Sequence, residues 1–244
     1  MNELLNTESK KKMSFRRLLP LLIIVAGCIP FFALGLGDYL SFEALKANRD
    51  VIMTWTAENY PLAVLAFVGA YILVISMSLP GGVWLTVTGG FLFGTLETTS
   101  YVVVGATLGA TVIFLAARYA FADYLRAKAG ASVRKMEDGF RENAMSYLLF
   151  LRLVPVFPFW LVNLVPAFIG VPVRTYVVGT FFGIIPGTFV FASVGGGLAA
   201  VFDSGGEPDM GIIFTPGVLI PIVGLAVLSL IPVFYKKFTQ RNSS

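Results

Sequence analysis

Histidine is absent from the 244 residues, and cysteine occurs once, as Cys28. The chain therefore has no disulfide framework, no thiolate or imidazole metal site and no His-dependent catalytic triad. Charge is the next scarcity. Asp, Glu, Lys and Arg make up 13% of the residues, about half the share in soluble domains. Apolar residues take their place at 57%, more than a soluble core of this size needs. The sequence is that of an integral membrane protein, expected to be all-α and to cross the bilayer several times. No enzymatic activity, cofactor, metal or nucleic-acid partner is expected, and homo-oligomerisation is left open.

Aspartate is missing from every apolar segment but the end of the first. Gly35–Asp38 reads G-x-G-D, the pattern of intramembrane aspartyl proteases, whose chemistry needs a second aspartate facing the first. No other apolar segment supplies one, so Asp38 reads as a helix end reaching water. Val25–Cys28, VAGC after a basic stretch, has the look of a lipoprotein cleavage box. The apolar run continues past it to residue 37, however. Residues 18–37 suffice for a full crossing at about 1.5 Å per residue, which a short signal segment does not.

The pattern divides the chain into a basic tail (1–17), an apolar run (18–37), a polar segment (38–60) and a core (61–195). A loop (196–210), an apolar run (211–234) and a basic tail (235–244) follow. Positive charge gathers in three places: Lys10, Lys11, Lys12, Arg16 and Arg17; Arg118, Arg126, Lys128, Arg134, Lys135 and Arg141; and Lys236, Lys237 and Arg241. The positive-inside rule places all three, and so both termini, in the cytoplasm. The acidic stretches, with Asp38, Glu43, Asp50 and Glu58 in one and Asp203, Glu207 and Asp209 in the other, face outside.

Parity then constrains the core. Residues 143–171 start inside, and 173–194 must cross outward to reach the acidic loop. The stretch 143–171 must return to its own side, and neither half is long enough to span. It is expected to be a re-entrant hairpin broken at Pro155 and Pro158. Residues 61–97 read as a second hairpin, dipping in from outside, with Pro80, Gly81, Gly82, Gly89, Gly90 and Gly94 as its breaking residues. Residues 98–117 then cross inward.

A short internal repeat points the same way. LPGGVWLTVTGGFLFG (79–94) and VPVFPFWLVNLVPAFIG (154–170) both begin apolar-Pro, carry a tryptophan (Trp84, Trp160) and close on glycine (Gly94, Gly170). Each leads into a Tyr-Val-Val run with small residues four apart, Gly105 and Gly109 in one, Gly179, Gly183 and Gly187 in the other. Those rows are expected to serve close helix packing. Two hairpins entering from opposite sides form an inverted-topology repeat, the plan of many secondary transporters. Non-helical backbone at that depth must be buried in protein or line a wet cavity.

One cation sits inside the second hairpin. Arg152 lies about ten residues from the charged edge at Arg141 and Glu142, where an isolated guanidinium costs at least ~2.5 kcal/mol. Either it snorkels to headgroups or caps carbonyls freed at Pro155, or it meets an anion in a cavity between the hairpins. Lipid phosphate is the anion most available there, and guanidinium binds it through a bidentate fork. Asn163, on the returning arm, and Trp160 are candidates to share that site. Arg118 is either a partner on the cytoplasmic side of it or an anchor at a helix end. Glu97 reads as an outer-surface residue.

These same stretches, with G-G-x-x-F-G at Gly89–Gly94 and L-R-x-x-P-x-x-P-x-x-x-x-N at Leu151–Asn163, resemble the DedA superfamily. These are the SNARE-associated or VTT-domain membrane proteins, and the Tvp-like branch is the most similar. The resemblance covers about residues 60–195. It implies two opposed re-entrant hairpins and a role in lipid translocation, as a scramblase of phospholipids or a flippase of undecaprenyl phosphate or phosphatidylethanolamine. It also implies a multi-pass protein of the cell membrane, here a bacterial inner membrane. The family's transporters carry an acid in the first hairpin and a second arginine in the second. This chain has no acid between Pro61 and Leu96, and Pro158 stands at the second arginine position. Energy-independent exchange, or a different substrate, fits these departures better than proton coupling. The other expectations are an ion-coupled small-solute transporter on the same scaffold and a non-transporting assembly factor.

Overall fold

The structure, a computed structural model, describes residues 46–79, 81–128, 143–154, 157 and 159–198, with a few positions between 211 and 230. The expected first helix at 18–37, the loop 196–210 beyond its first three residues, Pro80, Pro155 and Pro158 lie outside the described residues. Among the described residues every regular element is a helix. In chain order they are α1 (Arg49–Glu58), α2 (Tyr60–Ser76), α3 (Gly82–Phe93), α4 (Thr95–Lys128), α5 (Ala144–Leu153), α6 (Phe159–Phe168), α7 (Val173–Gly183) and α8 (Ile185–Gly196).

Two stretches are long and apolar enough to cross a bilayer: Thr95–Ala120 of α4, and Val173–Gly196, where α7 and α8 run on through a turn at Ile184. α1 and α2 together would make a third, but they bend by 114° at their junction. The other helices are short. α3 has 12 residues, α5 and α6 have 10 each, which is about 15–18 Å of helix against a hydrocarbon core of about 30 Å. None of them spans alone.

α4 is the spine of the bundle, touching α2, α3, α6, α7 and α8. Its sequence allows this because small residues recur along the covered faces, including Gly105, Ala106, Gly109, Ala110, Ala116 and Ala117. Val104, Leu108, Val112 and Leu115 stay about half exposed. A row of exposed aliphatics three and four residues apart is what a helix facing lipid presents.

The packing has a regular exchange in it. The first arm of each broken unit lies on the helix that follows that unit, α2 on α4 and α5 on α7, and the second arm crosses to the other unit's long helix, α3 on α8 and α6 on α4. The glycines repeat this in detail. Gly105 and Gly109 meet Tyr71 and Ile75 of α2, while Gly179 and Gly183 meet Leu148 and Arg152 of α5. Arg152 thus stands where Ile75 stands in the other unit.

Two of the expected breaking residues behave otherwise. Gly89 and Gly90 lie inside α3 and are helical. Their missing side chains serve contact: a Cβ on Gly89 would come within 2.6 Å of Phe67 Cζ, and Gly90 lies flat against the Ala192 carbonyl and Gly195 of α8. Gly94 and Gly170 do end helices, at φ of 86° and 73°, where any Cβ is disfavoured. Gly81, at φ 130°, precedes α3, and Gly82 opens it. Pro166 sits within α6, so the third proline of that segment does not interrupt it.

Part of the polar stretch 38–60 is helix α1. Of the expected helix at 211–234, the described positions from 216 on are helical, and Ile222 and Ala226 are buried against Leu153, Phe150 and Phe191.

Candidate functional site

The break after α2 and the end of α5 open on one cavity of about 560 Å³. Tyr71, Ile75, Ser78 and Leu79 line it from α2 and the turn beyond, Gly81 to Val83 and Thr86 from the start of α3, and Ile184, Gly187, Thr188 and Phe191 from the α7–α8 junction and α8. Among the described residues Arg152 is the only charged one that lines it, and no carboxylate does.

Arg152 reaches this place because Gly183 leaves room for it. A Cβ on Gly183 would lie 2.7 Å from the Arg152 Cβ, so α5 and α7 pack with the arginine stem in the gap. The guanidinium then donates through Nη2 to the Tyr176 hydroxyl at 2.9 Å and to the Thr180 hydroxyl at 3.1 Å. The Tyr176 hydroxyl in turn donates to Asn163 Oδ1 at 3.3 Å. Its ring stacks on Phe114 with centroids 4.1 Å apart, which holds the phenol in place. Arg152 Cζ lies 5.4 Å from that ring's centroid.

A chain of contacts therefore runs from α5 through α7 to α6 and joins both arms of the second broken unit. The order is Arg152, Tyr176, Asn163. Tyr176 and Asn163 are fully buried. The guanidinium is not neutralised: its partners are neutral hydroxyls, and Nε has no partner among the described residues. Asn163 Nδ2 is likewise buried without one. In water-poor surroundings such groups are costly to leave unpaired, by about 1–3 kcal/mol each and more for a charge.

The structure thus brings Arg152 and Asn163 together, through a tyrosine between them. Arg118 is elsewhere. It donates to the Val171 carbonyl at 3.0 Å and does not line the cavity, which caps the backbone between α6 and α7. The Trp160 side chain lies outside what is described. Glu97 is exposed at the first turn of α4, where a carboxylate complements the helix dipole. Tyr176 and Thr180 were visible in the sequence only as part of the repeat YVVGT. Hydroxyls spaced four apart on an apolar helix, opposite an arginine, were the available signal.

The first broken unit has a smaller polar join. The Tyr71 hydroxyl lies 2.9 Å from Thr86 Oγ1 and 3.2 Å from the Gly82 carbonyl, which ties α2 to the start of α3.

A helical membrane protein with two broken units packed about one cation-lined cavity is the class these observations define. Residues 79–196 match the VTT domain, and the chain belongs to the DedA superfamily of VTT-domain membrane proteins. It is 30% identical over 205 residues to a transmembrane protein 41 homolog of Dictyostelium discoideum, the match covering 83% of this chain and 60% of that protein. It is 29% identical over 201 residues to transmembrane protein 41B of Homo sapiens, covering 80% and 67%. The transmembrane protein 41 homolog of Caenorhabditis elegans is 24% identical over 200 residues, covering 81% and 79%. No solved structure matches.

Proposed function

We propose that this protein moves lipids between membrane leaflets, as a flippase or scramblase of phospholipid or polyprenyl phosphate, without catalysing a chemical reaction. One observation carries this reading. Arg152 is a guanidinium without a carboxylate partner among the described residues, lining a cavity of about 560 Å³ inside a bundle of apolar helices. A fixed charge at that depth is expensive unless a solute comes to meet it. A lipid phosphate is the anion at hand, and its acyl chains need not leave the bilayer while the headgroup passes.

The arrangement is read as an inverted repeat, α2–α3 entering from outside and α5–α6 from the cytoplasm. The exchange of contacts between the two units and the shortness of α3, α5 and α6 support it. On this reading the protein is multi-pass in the cell membrane with both termini cytoplasmic. With no Asp or Glu among the described residues of the cavity wall, the described wall supplies no proton carrier, which favours exchange down the lipid's own gradient.

The test is leaflet exchange in vesicles reconstituted with the purified protein, measured with fluorescent phospholipids and with undecaprenyl phosphate. Faster exchange than in empty vesicles, slowed about tenfold or more in Arg152→Gln, is expected. Exchange no faster than in empty vesicles for every lipid overturns the reading.

A further inference from the structure

The cavity holds a second polar group that the arginine does not account for. Ser78 ends the turn after α2 with φ of 52°, the one non-glycine residue with positive φ among the described residues. That conformation is disfavoured for a serine, and such strain concentrates where a site requires a particular geometry. Its hydroxyl oxygen is buried and has no hydrogen-bond partner among the described residues. Ser78 lines the same cavity as Arg152.

Beside it begins α3, a 12-residue helix with no side-chain cap. The amides of its first turn have no intrahelical acceptor, and Gly81, Gly82 and Val83 line the cavity. Thr188 of α8 adds a third polar group. It is 8% exposed and lines the cavity. The cavity therefore offers a cation, two hydroxyls, that of Ser78 without a partner among the described residues, and the positive end of a helix. All of these can donate to an anion.

We infer that Ser78, Thr188 and the amino end of α3 form one jaw of a phosphate clamp whose other jaw is Arg152. This rests on the lipid-transport reading and specifies the ligand: a phosphate monoester or diester, recognised by its oxygens. The clamp holds its ligand where the two broken units meet. The phosphate oxygens take the hydrogen bonds that Ser78 Oγ and Arg152 Nε now lack, and the Thr188 hydroxyl donates beside them. Among the described residues the wall carries no acid to recognise an amine, so the headgroup substituent beyond the phosphate is not what is selected.

The test is ligand-dependent thermal unfolding of the full chain in a neutral detergent. Three probes are compared: inorganic phosphate, dihexanoyl phosphatidic acid and dihexanoylglycerol. Phosphatidic acid should raise the midpoint and dihexanoylglycerol should not. Ser78→Gly removes the hydroxyl and relieves the backbone, so its own midpoint should hold while its affinity for phosphatidic acid falls about tenfold. Arg152→Gln should lose at least as much. Thr188→Val keeps the shape and should fall in the same direction, which serves if Ser78→Gly alters the fold. A response to inorganic phosphate as well assigns the site to the phosphate alone; a response only to phosphatidic acid assigns it to the lipid; both support the clamp. Equal responses to phosphatidic acid and dihexanoylglycerol overturn it, as does no response to either phosphate probe. Wild-type affinity in both Ser78→Gly and Thr188→Val also overturns it. Intact binding with no leaflet exchange sinks the transport reading and leaves the clamp standing.

Discussion

Gly183 takes the Cβ of Arg152 into the space where its own side chain would stand, at 2.7 Å from the position of a Cβ. The equivalent contact in the other broken unit pairs Gly109 with Ile75, at 2.8 Å. One packing solution is used twice, and in only one of the two places does it carry a charge. The cavity owes its cation to that difference.

Gly183→Ala forces the Arg152 stem away from α7, because the nearest atom is the Cβ itself and not a flexible tip. The variant should lose about 1–3 kcal/mol of stability, as overpacking does, and exchange lipids more slowly than the wild type. Thermal unfolding in detergent and the vesicle assay read the two effects. Gly217, with nothing near it, is the control; Gly217→Ala should leave both unchanged.

Tyr176→Phe removes the hydroxyl that accepts from Arg152 and donates to Asn163. It leaves a buried acceptor unsatisfied at about 1–3 kcal/mol. Asn163→Leu alone should also destabilise. The double variant should cost less than the sum, since each change strands the other's partner. Additive losses in unfolding free energy would show that the chain of hydrogen bonds does not act as a unit.

Gly90→Ala and Gly195→Ala should be the most damaging single changes in the bundle. Gly90 meets the Ala192 carbonyl and Gly195 meets the Val87 carbonyl, and backbone cannot rotate away as a side chain can. A loss of about 3 kcal/mol or more is expected. Gly69→Ala, where the added methyl meets nothing within 4 Å, should be tolerated. Comparing the melting of these three variants checks the crossing of α3 and α8.

Single cysteines at Gly82 and Phe157, in a chain with Cys28 replaced by serine, report the topology. Impermeant thiol reagents should reach neither from the face opposite to its hairpin's entry. Labelling of Gly82→Cys from the cytoplasm and of Phe157→Cys from outside would make both units full crossings and remove the shared cavity.

Composition alone determined that this is a helical membrane protein: scarce charge and long apolar runs leave helices as the way to satisfy backbone in lipid. Proline and glycine spacing marked the two broken units, and the lone arginine in an apolar segment marked itself by its cost. Folding decided the rest. Gly89 and Gly90 read as breaks, because glycine weakens a helix in isolation; packing against Phe67 and Ala192 keeps them helical. Arg118 and Arg152 are alike as charges in a sequence, yet one caps a carbonyl and the other faces a cavity. Ser78, Tyr176 and Thr188 are ordinary residues until helices distant in sequence bring them around one guanidinium or one space. Local pattern sets where a chain can bend, and the energy of leaving a polar group unpaired is set by neighbours that only the tertiary structure supplies.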